Sequence, residues 1–369
     1  MKKKYDILIF SSLPKNSGCY LRAKYFSDAL LKNNVSVKFI IPPFSMPFML
    51  DFMLSLFTNT FYVFKYNFKY GFAIKPYPNT LIPLLLKKIF TNIKIGVDID
   101  DVDFGYREGL ITKISKLLQK PFPKYFDFIT FHNDNLIDYI QNEFKVQKDK
   151  LYPLLQGVDF SIFNKKNRKN GLKESIIKKF KLTGNTKIIV YSAHLNIASD
   201  LDIILNNINN ILSRRNYFFI VAGGGPMLKY FKHLAEKNHI QKIMFTDYLA
   251  PAEIVHYLLI ADVLIAYYKD KEVNYYRSYM KIREYLALQK RVVCNSVGEL
   301  KLFKKYTYQT KNDINEFLKK IDYLLKTNYS DGREKKAAKF IKQHYNWNSI
   351  AAEFKKTFLG KKGDGAKLY

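Results

Sequence analysis

The sequence predicts an α/β protein made of two successive units of alternating strands and helices. A strand–helix–strand pattern opens the chain between Tyr5 and Ile41, with a glycine in the first strand-to-helix turn. A polar, basic run without apolar periodicity, Lys165 to Lys173, is typical of a linker. A second apolar strand, Lys187 to Ser192, then begins a new alternation.

The composition indicates a folded and strongly basic protein. The chain has 369 residues, 48% of them hydrophobic, which is enough for two domains of ordinary size. Its net charge of +29 favours polyanionic partners, and we expect an anionic membrane surface. We expect no nucleic-acid partner, because no RNA-recognition or helix-turn-helix pattern accompanies the charge. Cys19 and Cys294 lie far apart, which indicates a reducing compartment with neither disulfides nor a zinc site.

Two apolar segments resemble export or membrane signals. The N-terminal apolar run covers only Ile7 to Phe10 and is followed by no cleavage site, so we expect no export. The most apolar window, Pro47 to Phe64, contains too many polar residues for a membrane-spanning helix.

Two further segments combine apolar and basic residues. Pro42 to Phe72 is rich in aromatic residues and ends near Lys65 and Lys69. It fits a helix in a membrane interface, a groove for a lipid-linked ligand, or an ordinary core helix. Ile111 to Lys124 is basic and amphipathic, which suits either an anionic lipid surface or a solvated helix face.

The first half carries polar side chains where predicted strands end. Four acids, Asp98, Asp100, Asp101 and Asp103, gather at the end of the strand Lys94 to Asp101, where open α/β sheets bind ligands. A D-x-D pair is able to hold Mg²⁺, but the same acids also suit loop structure or capping. His132 follows the strand Phe126 to Phe131 and fits either a cleft or a structural role.

The strongest candidate site lies between Tyr275 and Asn295. Its first part has helical spacing, with Ser278 as the predicted N-cap, and such a helix start can hold a phosphate. Lys281 and Glu284 lie on one side of this helix. The ammonium suits a diphosphate and the carboxylate suits ribose hydroxyls, although an ordinary surface ion pair has the same spacing.

This stretch, SYMKIREYLALQKRVV at 278–293, resembles the donor-site motif S-P-x-K-x-x-E-Y-x-A-x-G-x-P-V-V of family 4-type glycosyltransferases with the GT-B fold. The motif's Pro and Gly are Tyr279 and Gln289 here. The family's first glutamate, eight residues before Glu284, is Tyr276. A second phrase, YPLLQGVDFSIF at 152–163, is similar to the V-x-P-N-G-V-D-x-x-x-F that ends the first domain in that family.

The resemblance implies two Rossmann-like domains facing a central cleft, with a C-terminal helix that crosses back to the first domain. The expected parts are an acceptor-binding domain at 1–165, a nucleotide-sugar-binding domain at 166–346, the returning helix at 347–359 and a tail at 360–369.

The resemblance also implies site residues. Glu284 holds the donor ribose and Lys281 lies near the diphosphate, beside Ser278 at the helix start. The remaining donor positions follow two strands and are Gly223, Gly224, Tyr248 and Leu249; the family's glycine before Tyr248 is Asp247 here. The usual Arg–Lys clamp after the strand Lys187 to Ser192 is absent. Candidates for the cleft and the acceptor are Gly18, Arg22, Asp98, Asp101 and His132, although Gly18 also fits a simple turn and Arg22 a solvated helix position.

The implied activity is retaining transfer of a sugar from a nucleotide-diphosphate sugar to a glycan or lipid-linked acceptor. We expect it to serve the synthesis of cell-surface polysaccharide or glycoconjugates, as a peripheral protein on the cytoplasmic face of the membrane. No cofactor and no essential bound metal is expected. Tyr276 and the missing clamp also motivate a second hypothesis, a catalytically weak GT-B scaffold that binds a sugar or a partner.

Overall fold

The computed structural model describes residues 4–13, 15, 17–41, 48–102, 110–327 and 329–360. These residues form two compact units. Unit 1 contains the described residues up to 157 together with 276–278 and 347–360. Unit 2 contains 158–275 and the described part of 279–346. Each unit is built on a six-stranded parallel sheet.

Unit 1 alternates strands and helices along the chain. Its elements are β1 Lys4–Ser11, α1 Gly18–Lys32, β2 Val37–Ile40, α2 Phe48–Lys65, β3 Asn67–Ile74, α3 Pro78–Phe90, β4 Lys94–Asp98, α4 Leu110–Gln119, β5 Phe128–Phe131, α5 Asn135–Phe144 and β6 Leu151–Pro153. The strand order is β2-β1-β3-β4-β5-β6, so the topology reverses direction between β1 and β3. Ligands of doubly wound sheets bind outside the carboxyl ends of the strands at such a point.

Unit 2 has the same alternation. Its elements are α6 Leu172–Lys179, β7 Lys187–Ser192, α7 Leu201–Asn207, α8 Asn209–Leu212, β8 Tyr217–Ala222, α9 Leu228–Lys237, β9 Ile243–Phe245, α10 Pro251–Ile260, β10 Val263–Ala266, α11 Glu272–Tyr275, α12 Met280–Ala287, β11 Val292–Asn295, β12 Tyr308–Thr310, α13 Ile314–Thr327 and α14 Arg333–His344. The order β12-β11-β10-β7-β8-β9 is the Rossmann order counted from β7, with its switch point between β7 and β10.

The chain returns to unit 1 at the last helix, α15 Trp347–Phe354, as expected from the sequence. Its Phe354 ring lies 4.9 Å from that of Phe26 on α1 and 5.5 Å from that of Phe72 on β3. Edge and offset contacts of this kind add to the apolar area that the rings bury. The C-terminal helix is therefore part of the core of unit 1.

The strands follow the apolar runs of the sequence, but the segment Pro42 to Phe72 does not form one helix. Residues 42–47 lie outside the described part. The helix α2 ends at Lys65, and β3 begins two residues later as a partner of β1 and β4. The sequence of β3, NFKYGFAI, alternates polar and apolar residues at its start, which fits a strand whose first residues are partly exposed better than it fits a helix. Asp103 and residues 361–369 of the predicted tail also lie outside the described residues.

A buried ion pair links α1 to β4 in unit 1. The guanidinium of Arg22 donates to both carboxylate oxygens of Asp98, at 2.6 and 3.0 Å. It also donates to Gln156 Oε1 at 2.8 Å and to the Leu154 carbonyl at 2.7 Å, while Thr130 Oγ1 donates to Asp98 at 2.5 Å. Both charged side chains are buried, so removing either one would leave the other as an unpaired buried charge.

Replacing Arg22 with alanine should destabilise the protein by about 3–5 kcal/mol, since Asp98 would then be a buried carboxylate without a cation. Urea unfolding followed by circular dichroism measures this change. The matched control is Lys24→Ala on the same helix, whose pair with Asp28 is half-exposed and worth about 0–1 kcal/mol. Equal losses in the two variants would contradict the structural role assigned to Arg22.

Candidate functional site

The helix α12 lies at the switch point of the unit 2 sheet because it follows β10 and is hydrogen-bonded to the end of β7. The Tyr285 hydroxyl accepts from the Ser192 backbone N–H at 2.8 Å and lies 3.0 Å from Ser192 Oγ. Burial raises the pKa of Tyr285, which keeps this hydroxyl protonated. Tyr285 thus fixes one end of the helix against the carboxyl end of β7.

The start of α12 is held by a buried acid. Glu299 forms an ion pair with Arg283, and its second oxygen accepts from the Tyr279 N–H at 3.2 Å. The Arg283 guanidinium also lies 4.6 Å from the centre of the Tyr345 ring. A proline at position 279, as in the related motif, would lack the N–H that Glu299 accepts.

The predicted N-cap at Ser278 is wrong. The helix begins one residue later than predicted, with Tyr279 in the N-cap position and without a side-chain cap, and Ser278 belongs to unit 1. Tyr279 is buried; its hydroxyl donates to the Asn274 carbonyl at 2.7 Å, and its ring lies 4.4 Å from that of Tyr268. These tertiary contacts, rather than a capping hydroxyl, determine where the helix starts.

The ammonium group of Lys281 lies over aromatic rings. Its Nζ is 4.0 Å from the centre of the Tyr191 ring and 5.5 Å from that of Tyr268. Both tyrosines are buried, one in β7 and the other after β10. Contacts between a cation and a ring face are electrostatically attractive, so they limit the positions open to the ammonium.

Glu284 differs from the other buried acids of unit 2. It is half-buried, and within the described ranges its carboxylate makes no hydrogen bond or salt bridge. Burial raises the pKa of Glu284 to about 7, against the opposing effect of the Lys281 and Arg283 charges. A carboxyl group that titrates near neutral pH beside a cation is a common feature of functional sites.

The glycine run after β8 packs against the loop after β7. The Leu195 N–H donates to the Gly224 carbonyl, and the Met227 N–H donates to the Leu195 carbonyl, both at 2.9 Å. Gly223 has φ +130°, and a Cβ there would lie 2.1 Å from the Ala193 carbonyl oxygen. Only glycine permits this approach of two backbones at the carboxyl edge.

The loop after β9 reaches the same edge. Gly223 forms an isolated antiparallel bridge with Asp247, and its N–H donates to Thr246 Oγ1 at 3.0 Å. A Cβ on Gly224 would lie 2.6 Å from the backbone nitrogen of Tyr248, whose side chain is exposed. The structure therefore brings Gly223 and Gly224 together with Tyr248, which Leu249 follows, at the β8–β9 side of the switch point. Lys281 and Glu284 lie on the side of β7 and β10.

The acceptor candidates of unit 1 gather at the carboxyl end of its own sheet. The His132 Nε2 lies 2.5 Å from the Asp100 carbonyl oxygen, and Lys75 Nζ lies 3.3 Å from the Asp100 carboxylate. Burial alone would raise the pKa of Asp100, but the charges of Lys75 and Arg22 lower it below its ordinary value.

The other four candidates of unit 1 have no contact that suggests direct binding of a ligand. Arg22 and Asp98 direct their polar atoms to each other and to the fold. Gly18 begins α1 without a positive φ, and Asp101 is partly exposed. Among the residues that the structure describes, no group of three or more His, Cys, Asp or Glu is arranged to hold a metal ion.

Sequence reasoning missed the residues that support Lys281 and Glu284. Tyr191 and Tyr268 resembled ordinary core residues of buried strands, and Glu299 lies in a segment without a motif. The Tyr285 position is part of the recognised motif, which was the one available signal, but the motif did not reveal its partner Ser192.

Comparison with protein families gives a match in the C-terminal part of the chain. Residues 173–347 match the family model of glycosyl transferases group 1, which covers most of unit 2 and slightly less than half of the chain. A sequence comparison with curated proteins gives no significant match.

Solved structures match the fold over nearly the whole chain. A glycosyltransferase from Rickettsia africae has a TM-score of 0.74 and 16% identity, with 98% of this chain and 100% of that one covered. Sucrose-phosphate synthase from Thermosynechococcus elongatus has a TM-score of 0.75 and 12% identity, covering 96% and 98%. HepE of Anabaena in complex with UDP has a TM-score of 0.69 and 12% identity, covering 96% and 99%. The fold is GT-B, and with the family match it supports a glycosyltransferase.

Gly223→Ala should destabilise the protein by about 2 kcal/mol or more, because the methyl group meets the Ala193 carbonyl and φ is unfavourable for alanine. Thermal unfolding measures the change. Gly184→Ala is the matched control, since Gly184 has open space and no positive φ, and its midpoint should change little. If Gly223→Ala is as stable as Gly184→Ala, the close backbone approach does not exist in solution.

Glu284→Gln should gain stability relative to the wild type as the pH rises. The folded wild type holds the Glu284 proton up to about pH 7 and the unfolded chain only to about 4.5, so its unfolding free energy falls across this window. The slope approaches about 1.4 kcal/mol per pH unit, and the glutamine variant lacks this contribution. Urea unfolding of both proteins at several pH values tests this, and a difference that is independent of pH would contradict the raised pKa.

Proposed function

We propose that the protein is a retaining glycosyltransferase that uses a nucleotide-diphosphate sugar. The observation that carries this proposal is the pair Lys281 and Glu284 on α12, at the switch point of the Rossmann-type sheet in the segment with the family match. Rossmann-type sheets bind nucleotides at this place. A cation there matches the diphosphate of a nucleotide-sugar donor, and a carboxyl group without a hydrogen bond to the described residues matches its ribose.

In this proposal Lys281 acts on the leaving group. Negative charge develops on the diphosphate as its bond to the sugar breaks, and a fixed ammonium stabilises that charge without reorganising. The aromatic rings under Lys281 and the anchoring of α12 through Tyr285 would hold the ammonium in place. The usual Arg–Lys clamp is absent, so Lys281 and the backbone N–H groups at the helix start have the larger share of this role.

Glu284 would orient the donor through its ribose hydroxyls. Its carboxylate makes no hydrogen bond to the described residues, so it can accept from both hydroxyls of a ribose without breaking an internal contact. Orientation of this kind contributes to rate by removing freedom from the reacting groups. We expect no cofactor and no essential metal for this reaction.

Similar solved structures support this substrate class. HepE is described in complexes with UDP, with UDP and glucose, and with UDP-glucose, and starch synthase IV of Arabidopsis thaliana is described as bound to ADP and acarbose. Another similar structure is of WaaG, a glycosyltransferase of lipopolysaccharide biosynthesis. On this basis we favour a glycan or lipid-linked acceptor of the cell surface. UDP and ADP are the first nucleotides to test as the diphosphate part of the donor.

We place the enzyme at the cytoplasmic face of the membrane as a peripheral protein. No helix in the described part of the chain has the length and apolar character to cross a bilayer. The proposal therefore requires a surface on the folded protein that binds lipid.

Calorimetric titration with UDP, GDP and ADP tests the donor site. One nucleotide should bind, and Glu284→Ala should weaken it by about tenfold or more, since hydrogen bonds to a charged group contribute about 1.5–3 kcal/mol. Glu236→Ala removes an exposed glutamate of α9 in the same unit and should bind as the wild type does.

The scaffold hypothesis makes the opposite prediction for the same titration. Tyr276, which occupies the position of the family's first glutamate, packs its ring 5.4 Å from that of Tyr139 in unit 1. If none of the three nucleotides binds to the folded wild type, the transferase proposal fails and the scaffold hypothesis is favoured. If Glu284→Ala and Glu236→Ala weaken nucleotide binding equally, Glu284 is not part of the donor site.

A further inference from the structure

Helix α2 of unit 1 directs its apolar stripe away from the core. The large exposed side chains follow helical spacing over the whole helix and are Leu50, Met53, Leu54, Phe57, Phe61 and Phe64. Phe57 is 78% exposed and Phe61 58% exposed. In an amphipathic helix of a globular protein such a stripe normally faces the core.

The buried stripe of the same helix is partly polar. Ser55, Asn59 and Val63 have no exposed surface and succeed one another at a spacing of four residues. The Asn59 side-chain amide donates to the Asn79 carbonyl of α3 at 2.9 Å, so the polar residue is part of the packing between the two helices. The orientation of α2 is therefore fixed by these contacts, with its aromatic face outward.

The exposed surface continues onto the end of α3. Leu86, Ile89 and Phe90 are exposed, the last two by 74% and 72%, and the Phe90 ring lies 6.2 Å from that of Phe64. A groove of about 530 Å³ lies along α2, lined by Phe57, Thr60, Phe61, Phe64 and Lys65. We call the exposed apolar side chains of α2 and α3, with the lysines beside them, the α2–α3 face.

The charges beside this face are positive. Lys65 Nζ lies 5.4 Å from the Phe61 ring centre, and Lys87 Nζ lies 5.1 Å from that of Phe64. Between Phe48 and Phe90 the sequence has five lysines, of which Lys75 is buried beside Asp100, and a single acid, Asp51. Aliphatic and aromatic side chains flanked by lysine ammonium groups are the composition of helices that lie in the interface of an anionic membrane.

We propose that the α2–α3 face is a docking surface for an anionic lipid bilayer, with α2 lying in the plane of the interface. Phe57, Phe61 and Phe90 would enter the boundary between headgroups and acyl chains, while Lys65 and Lys87 contact lipid phosphates. Soluble monomers rarely expose an apolar patch of this extent without a partner.

The charge pattern favours a bilayer over a second copy of the chain. A symmetric dimer places the same patch against itself, which would bring the lysines of both copies together across an apolar interface. Like charges in that arrangement are unfavourable, whereas anionic headgroups are complementary to them. This surface lies in unit 1 and its binding does not depend on the donor site proposed for unit 2.

Flotation with lipid vesicles tests the proposal. The full chain should float with vesicles of phosphatidylcholine and phosphatidylglycerol and not with phosphatidylcholine alone, and added salt should weaken the binding. Phe57→Ser with Phe61→Ser, and separately Lys65→Glu with Lys87→Glu, should each reduce the vesicle affinity by about tenfold or more. These side chains are exposed or half-buried, and thermal unfolding of each variant checks that the fold is kept.

Matched controls separate the α2–α3 face from the basic character of the whole chain. Lys335→Glu with Lys339→Glu makes the same change in net charge on exposed positions of α14, and Leu302→Ser removes an apolar side chain that is 66% exposed in unit 2. Both should bind vesicles within about twofold of the wild type. An equal loss in the α14 and the α2–α3 charge variants would overturn the proposal.

Two further outcomes would also overturn the assignment. Absence of any binding to the anionic vesicles would show that the face does not dock on lipid. Light scattering without vesicles tests the second copy, and a wild-type dimer that Phe57→Ser with Phe61→Ser converts to a monomer would assign the face to self-association.

Discussion

The hydrogen bonds between the Tyr285 hydroxyl and Ser192 are the contact on which the proposed chemistry of unit 2 depends. A helix after β10 can pack in several positions along a sheet, but this contact fixes α12 at the carboxyl end of β7. Glu299 then fixes the helix start through Arg283 and the Tyr279 N–H. Because both ends of α12 are held by these contacts, Lys281 and Glu284 on the same helix have defined positions.

Two departures from the related donor-site pattern lie at positions whose backbone angles favour glycine. Asp247 and Gln289 occupy positions where that pattern has glycine, and both have left-handed backbone angles, φ +62° and +55°. A side chain in this region costs about 1–2 kcal/mol relative to glycine. Each of the two side chains accepts from a lysine, Asp247 from Lys232 at 2.9 Å and Gln289 from Lys165 at 2.6 Å. These contacts offset part of the cost of the positive φ angles, so both loops adopt left-handed backbone angles without glycine.

Local sequence patterns predict much of the fold but only part of the candidate site. Strands such as β7 and β11 could be predicted because buried parallel strands are continuous apolar runs. The start of α12 could not, because the buried contacts of Tyr279, which involve residues distant in sequence, outweigh a capping serine. The stripe of α2 is visible in the sequence, but periodicity does not tell which side of a helix faces the core. Here the contact between Asn59 and α3 decides it.

Asp98 and Glu284 show how the surroundings of a carboxyl group separate stability from binding. Both were predicted as site residues. Asp98 accepts from Arg22 and Thr130, so its charge is compensated within the fold and removing the partner should cost stability. Glu284 has neighbouring cations but makes no hydrogen bond or salt bridge within the described residues, and its pKa rises to about 7. None of the described residues hydrogen-bonds this carboxylate, so a ligand can do so instead. Hydroxyls that donate to the carboxylate also favour its ionised form. An acid that the fold leaves uncompensated is therefore the better candidate for contact with a substrate.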